Sequence, residues 1–318
     1  AHRQRTLVAS VSLIAVLALC LGSIQTIHSS AVKQRWNDAA ADLAFVQPLQ
    51  YPVVTYSYGA VADTLVEAYE PGLLDSMRLI TIRDGELEKT LSGDTIPKKG
   101  ITVADVDGDR LMELLPDTPE NDLVWYLWAQ RVHDDNIEDG FARAGYVRVM
   151  HYTYDAPRGL VFFDLWARPG ANFGTPVPGV EPFTETTRWG IPAGAAGVEP
   201  SGDGSTVTIL NSSSLGTAVA TVLSTSGAAL YTVELDVMGR LPGSRSQVTL
   251  TCQSPTGVTL HEISATTNTP PVDGVRRHTS SVICPDGTER LRVTMRNNGQ
   301  GEMSFSLPAV YKTPIPKQ

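Results

Sequence analysis

The sequence has no surplus of positive charge. Its 318 residues carry 25 Lys and Arg against 34 Asp and Glu, a formal net charge of −9. Phosphate backbones are held by basic surfaces, so this composition argues against nucleic acid as a partner. Motifs of covalent or metal chemistry are missing as well. There is no nucleophile elbow, no phosphate loop and no zinc-type His/Cys spacing. His151 and His261 stand alone in the sequence, as surface or core histidines do. Acidic residues are too common for proximity in sequence to single out a glycosidase pair. No catalytic residue and no cofactor is therefore assigned, and enzyme activity stays open.

What is present begins with an uncharged apolar run, residues 7–27. At about 1.5 Å per residue it is long enough to cross a hydrocarbon core of about 30 Å. Arg3 and Arg5 precede it, and the next charges are Lys33 and Arg35. That bias places the N-terminus in the cytoplasm and residues 28–318 on the outer face of the cytoplasmic membrane. A cleaved signal peptide is the competing reading. The run is longer than a typical signal core and lacks a clean small-residue cleavage site. Because the chain begins with Ala1, the run is also readable as the last span of a larger membrane protein.

Charge and aromatics divide the remainder. Residues 28–179 hold 13 basic against 23 acidic residues, and residues 180–318 hold 10 against 11. Seventeen of the 22 aromatic residues fall in the first of these segments. Prolines and glycines crowd between residues 169 and 182. We therefore expect a flank and span at 1–30, an α/β domain at 31–170, a Pro/Gly linker at 171–182 and a β-sandwich at 183–318.

Hydrophobic spacing fills in the α/β domain. Helices are expected at 32–43, 60–70 and 134–144, and strands at 52–58, 77–83, 101–106, 123–129, 146–154 and 160–166. Leu123–Ala129 is apolar on both faces, as suits a strand covered on both sides. Asp84-Gly85 reads as a hairpin-type turn. After residue 182 the helical period disappears. Eight short Thr/Ser/Val-rich strands follow, separated by turn residues, which predicts an antiparallel, jelly-roll-like sandwich.

Cys252 and Cys284 both fall in strand-like segments of that sandwich, in a compartment where thiols oxidise, and a disulfide between them is expected. Cys20 lies in the apolar run as a small hydrophobe. Asp105, Asp107 and Asp109 resemble the start of a calcium loop. An EF-hand wants Gly sixth and Glu twelfth; Gly108 stands fourth and Pro116 twelfth. The run fits an Asp/Gly turn better, and no metal is assigned. His133-Asp134-Asp135 fits the acidic first turn of a helix better than a metal or acid/base pair.

Element order and short aromatic signatures then point to a family. The apolar run exits into Trp36. Pro52–Ala60 leads to a helix ending at Ala68-Tyr69, and Leu123–Trp128 leads to a helix, Gly145-Tyr146 and the closing strand Leu160–Trp166. Residues 1–168 resemble the extracytoplasmic C-terminal region of multi-pass bacterial GT-C glycosyltransferases, which use polyprenyl-phosphate-linked sugars. The acids that perform transfer in that family sit in an early loop between membrane helices, so none is carried over. Residues 180–318 resemble carbohydrate-binding jelly rolls, with Trp189 and Tyr231 as the candidate sugar-stacking rings.

The resemblance implies the non-catalytic, extracytoplasmic part of a membrane glycosyltransferase of cell-envelope assembly. It would position the acceptor glycan or brace the membrane domain, with the polyprenyl-phosphate sugar engaged elsewhere. The alternative is a self-contained single-span surface protein whose sandwich binds glycan or protein.

Overall fold

The structure is a computed structural model. It describes residues 35–57, 61–83, 101–104, 113–129, 135–156, 159–177, 189–191, 197–211, 217–224, 227–239, 245–268, 274–299 and 301–317. The apolar run 7–27, the acidic run Asp105, Asp107 and Asp109, and His133 with Asp134 lie outside the described residues. No helix among the described residues is long and apolar enough to cross a membrane.

Most of the described residues lie in β-sheet. The first sheet has six strands in the order β3-β2-β1-β4-β6-β5. β1 (Val53–Ser57), β2 (Leu79–Arg83), β3 (Ile101–Ala104) and β4 (Leu123–Ala129) run parallel; β5 (Val147–Ala156) and β6 (Gly159–Ala167) add an antiparallel hairpin. Helices α1 (Trp36–Val46) and α2 (Val61–Tyr69) lie against one another, and α3 (Asp135–Arg143) follows β4. Asp84-Gly85, expected as a hairpin-type turn, lies outside the described residues; β2 and β3 on either side pair in parallel.

Local chemistry sets these elements. Every residue of β4 is buried, which explains a strand with no polar face. Helix α3 ends at Gly145, with φ +83. Gly145 N–H donates to the Ala142 carbonyl and Tyr146 N–H to the Phe141 carbonyl, the paired bonds of a glycine-terminated helix. The Tyr146 and Phe141 rings meet edge to face at 5.4 Å. Tyr146 also donates its hydroxyl to the Asn121 carbonyl, and burial pushes its ionisation up to about 12.

The second half is a two-sheet β-sandwich. One sheet holds β7 (Thr175–Pro176), β18 (Ala309–Pro314), β12 (Ala229–Gly239), β17 (Gly301–Ser306), β10 (Thr206–Asn211) and β9 (Val198–Pro200), with β15 (Val275–Cys284) along β12. The other runs β14 (Thr259–Asn268), β13 (Arg245–Gln253), β16 (Arg290–Asn297), β11 (Thr217–Ser224) and β8 (Trp189–Gly190). Strand β18 was not among the expected strands. Its body pairs with β12 over Ala309–Thr313 and Pro314, inside a proline-rich tail.

The two halves share one apolar cluster, which runs from Trp36, Trp125 and Phe163 to Tyr231, Val293 and Phe305. A separate cluster under α3 joins Tyr126, Phe141 and Trp166. At the junction, Ile283 N–H donates to the Tyr152 hydroxyl at 3.0 Å, and the Tyr152 ring meets His261 edge-on at 4.8 Å. Tyr154 donates to Asp42 on α1 at 2.5 Å. Burial raises the Asp42 carboxyl above its ordinary range, opposed by the Tyr154 bond. Burial lowers His261.

Residues 171–177, the described part of the segment expected to be a linker, are held rather than loose. Val177 N–H donates to the Val310 carbonyl and Thr313 donates its hydroxyl to the Phe173 carbonyl, each at 2.8 Å. Gly174 has φ +94, and a Cβ there would stand 2.3 Å from the Lys312 carbonyl oxygen. Only glycine fits that approach.

Candidate functional site

The docked segment forms the floor of a cleft of about 530 Å³ between the two halves. Such a volume lies within the range of about 300–1,000 Å³ usual for small-molecule sites. One wall is apolar, from Val147, Val149 and Ala167 at the ends of β5 and β6 and from Phe173. The facing wall is polar, from Glu234 on β12, Arg277 and Thr279 on β15, and Tyr311 on β18. Strand pairing positions this wall. Glu234 lies opposite Thr279 and Asp236 opposite Arg277 in the β12–β15 ladder, so the acid and the guanidinium project from the same sheet face at alternate positions. Val233, Leu235 and Val237, between them, are buried in the core.

Arg277 is held through Nε by Asp236 Oδ1 at 3.3 Å. That hydrogen bond, then the charges of Asp236 and Glu234, raise its pKa above the ordinary value. Tyr311 leans towards Phe173, with ring centroids 6.3 Å apart at 44°. Arg168 is committed elsewhere. It pairs with Asp117 at 2.6 Å, donates to the Leu115 carbonyl at 2.9 Å and lies 4.7 Å from the Tyr146 ring centroid. Its charge anchors the floor. The wall as a whole offers a carboxylate, a guanidinium, a hydroxyl and a phenol ring, and the guanidinium is already paired with Asp236. That set can exchange hydrogen bonds with vicinal hydroxyls and cover an apolar ligand face, and it offers no excess positive charge to an anionic ligand.

The residues singled out from sequence fall elsewhere. Trp189 is 1% exposed and Tyr231 0%, so neither ring presents a face to solvent. Trp189 donates its indole N–H to the Gly204 carbonyl at 2.9 Å, and Tyr231 sits in β12 under the Lys312 ammonium, 5.8 Å from the ring centroid. This corrects the expected stacking platform. A half with few aromatic residues needs these two for its core. Cys252 and Cys284 are brought together, with a 2.01 Å bond and Cα atoms 5.6 Å apart. The bond ties β13 of one sheet to β15 of the other. Glu234, Arg277 and Tyr311 were not singled out for this role. The alternation of Tyr231–Val237 does mark Glu234 and Asp236 as lying off the core, but not what they face.

No protein-family model matches the sequence, and no curated protein matches it. Solved structures similar to part of it include the enzymatically active domain of tailspike protein 4 of bacteriophage CBA120, at 7% identity and a TM-score of 0.29, covering 34% of this chain and 15% of that one. A second is the CBM22-1–GH10 modules of the Clostridium thermocellum endo-1,4-beta-D-xylanase 10B, at 11% identity and a TM-score of 0.29, covering 36% and 22%. A third is a CBM4 structure, at 13% identity and a TM-score of 0.30, covering 45% and 99%. The chain thus spans less than a quarter of the length of the first two. At these TM-scores the likeness carries no argument about the ligand, and the sandwich stands on its own strand pairing. The glycosyltransferase resemblance of residues 1–168 gains nothing from these comparisons.

Proposed function

We propose that this chain is a glycan-binding, extracytoplasmic region of a membrane glycosyltransferase of cell-envelope assembly, and that the cleft between its two halves holds the acceptor glycan. The observation that carries this reading is the cleft wall of Glu234, Arg277, Thr279 and Tyr311, rich in hydrogen-bonding groups beside a ring and without excess positive charge. The apolar run 7–27 supports anchoring in the cytoplasmic membrane, and the Cys252–Cys284 bond supports an oxidising compartment. In this reading the polyprenyl-phosphate sugar binds membrane helices outside residues 28–318, and glycosyl transfer occurs there.

Glycan-array binding by residues 28–318 tests the proposal. Signal from neutral oligosaccharides, lost in Arg277→Ala, is expected. Binding confined to acidic glycans, or unaffected by that substitution, would contradict it. The alternative of a single-span surface protein shares the cleft, and the coding sequence upstream of Ala1 separates the two: several further spans favour the glycosyltransferase.

A further inference from the structure

Away from the cleft, the sheet face that carries α3 holds a second cluster. Asp164 on β6 is fully buried. Tyr126 on β4 and His151 on β5 are its direct cross-strand neighbours. Its Oδ2 accepts the Trp128 indole N–H at 2.9 Å, and its Oδ1 meets His151 Nδ1 at 2.6 Å. The Arg148 guanidinium lies 3.9 Å from Oδ2. The imidazole stacks on Phe162 with centroids 5.3 Å apart. With the ring proton drawn to Nδ1 by the carboxylate, Nε2 turns its lone pair to the Thr153 hydroxyl, 3.3 Å away.

Exposure rises along this line of contacts. The acid side chain is 0% exposed, the histidine side chain 37%, and Thr153 is exposed. A buried acid paired with an imidazole is enough to satisfy a core carboxylate. The hydroxyl on Nε2 is additional. Acid, imidazole and accessible hydroxyl in this order form the arrangement that activates an oxygen nucleophile.

We infer that Asp164, His151 and Thr153 form an acyl-transfer site for ester substrates, independent of the glycan cleft. His151 Nε2 takes the Thr153 hydroxyl proton while Oγ1 bonds to the ester carbonyl carbon. The bond from that carbon to the leaving oxygen breaks, and the leaving oxygen takes the proton back from Nε2. The products are O-acyl-Thr153 and an alcohol. Water, deprotonated by the same imidazole, then attacks the acyl carbon, releases a carboxylic acid and restores the hydroxyl. Asp164 holds the tautomer throughout and faces the imidazolium that forms. No oxidant, reductant or cofactor enters the balance.

The test uses the purified chain and p-nitrophenyl acetate, reading p-nitrophenolate release and locating the acetyl group by peptide mass spectrometry. The expected result is acetyl on the peptide bearing Thr153. Release should fall at least about a hundredfold in Thr153→Val and His151→Gln and be retained in Thr153→Ser. Thr153 is exposed, so the valine variant keeps its fold, which circular dichroism checks. Release at the buffer rate by the unsubstituted chain would overturn the inference. So would equal release by Thr153→Val, or acetyl found only on lysines.

Discussion

The Tyr152 hydroxyl accepts the backbone N–H of Ile283, 131 residues away, at 3.0 Å. The bond joins the edge strand of the six-stranded sheet to the outer strand of the sandwich. It satisfies an edge amide that would otherwise be buried without a partner at the junction. Burial drives the Tyr152 hydroxyl's ionisation well above its ordinary range, so it stays a neutral acceptor at any physiological pH. Tyr152→Phe should therefore cost about 1–3 kcal/mol, the price of an orphaned buried donor. Denaturant titration measures the loss. Hydrogen exchange at Ile283 should accelerate with it, and unchanged exchange there would rule out the junction bond.

The Cys252–Cys284 bond closes a loop of sequence separation 32 between the two sheets. The chain-entropy relation assigns a loop of this size about 3–4 kcal/mol. The double variant Cys252→Ala/Cys284→Ala should lose at least that much. Thiol counting on the unfolded, unreduced protein should find neither sulfur free.

His278 on β15 gives a pH dependence. Burial, then the nearby Arg276 charge, push its pKa from 6.5 to about 4, and its Nε2 has no hydrogen-bond partner among the described residues. The unfolded chain takes up the proton as pH falls through 6.5, while the folded chain resists until about 4. This contribution to stability is complete above 6.5 and is lost progressively between 6.5 and 4, a total of about 3 kcal/mol. Stability measured at pH 7 and pH 4 should converge in His278→Gln relative to the unsubstituted protein. A slope identical in the two proteins would assign the effect to other groups.

Gly174 tests the docked floor of the cleft. A Cβ there meets the Lys312 carbonyl at 2.3 Å on a backbone with φ +94. Gly174→Ala should cost about 1–3 kcal/mol and release the 171–177 segment from β18. Limited proteolysis near residue 174 would report the release. Resistance equal to the unsubstituted protein would show that the segment is not held by this contact.

How far the sequence could be read depends on whether a feature is local. Leu123–Ala129 announced a doubly covered strand because all its positions are apolar. The Asp155–Gly159 turn, read as a hairpin, implies the antiparallel pairing of β5 and β6, but it sets residue 151 opposite 163, one residue short of the 151-to-164 register of the structure. The pairing of His151 with Asp164 was therefore not legible, and His151 was read as isolated. Trp189 and Tyr231 misled because an aromatic in a half poor in aromatics is first a core residue. The cleft was beyond reach, since it forms only when β5 and β6 meet residues 234, 277 and 311, which are distant in sequence and joined by tertiary packing.

We propose that the junction cleft binds an uncharged glycan through Arg277 and Tyr311. Isothermal titration of residues 28–318 with matched neutral and uronic-acid-bearing oligosaccharides, repeated with Arg277→Ala/Tyr311→Ala, tests it most directly. Binding of a neutral oligosaccharide should weaken about tenfold or more in the double variant, whose thermal stability stays close to that of the unsubstituted protein. Equal heats of binding in the two proteins, or binding of the acidic oligosaccharides alone, would contradict it.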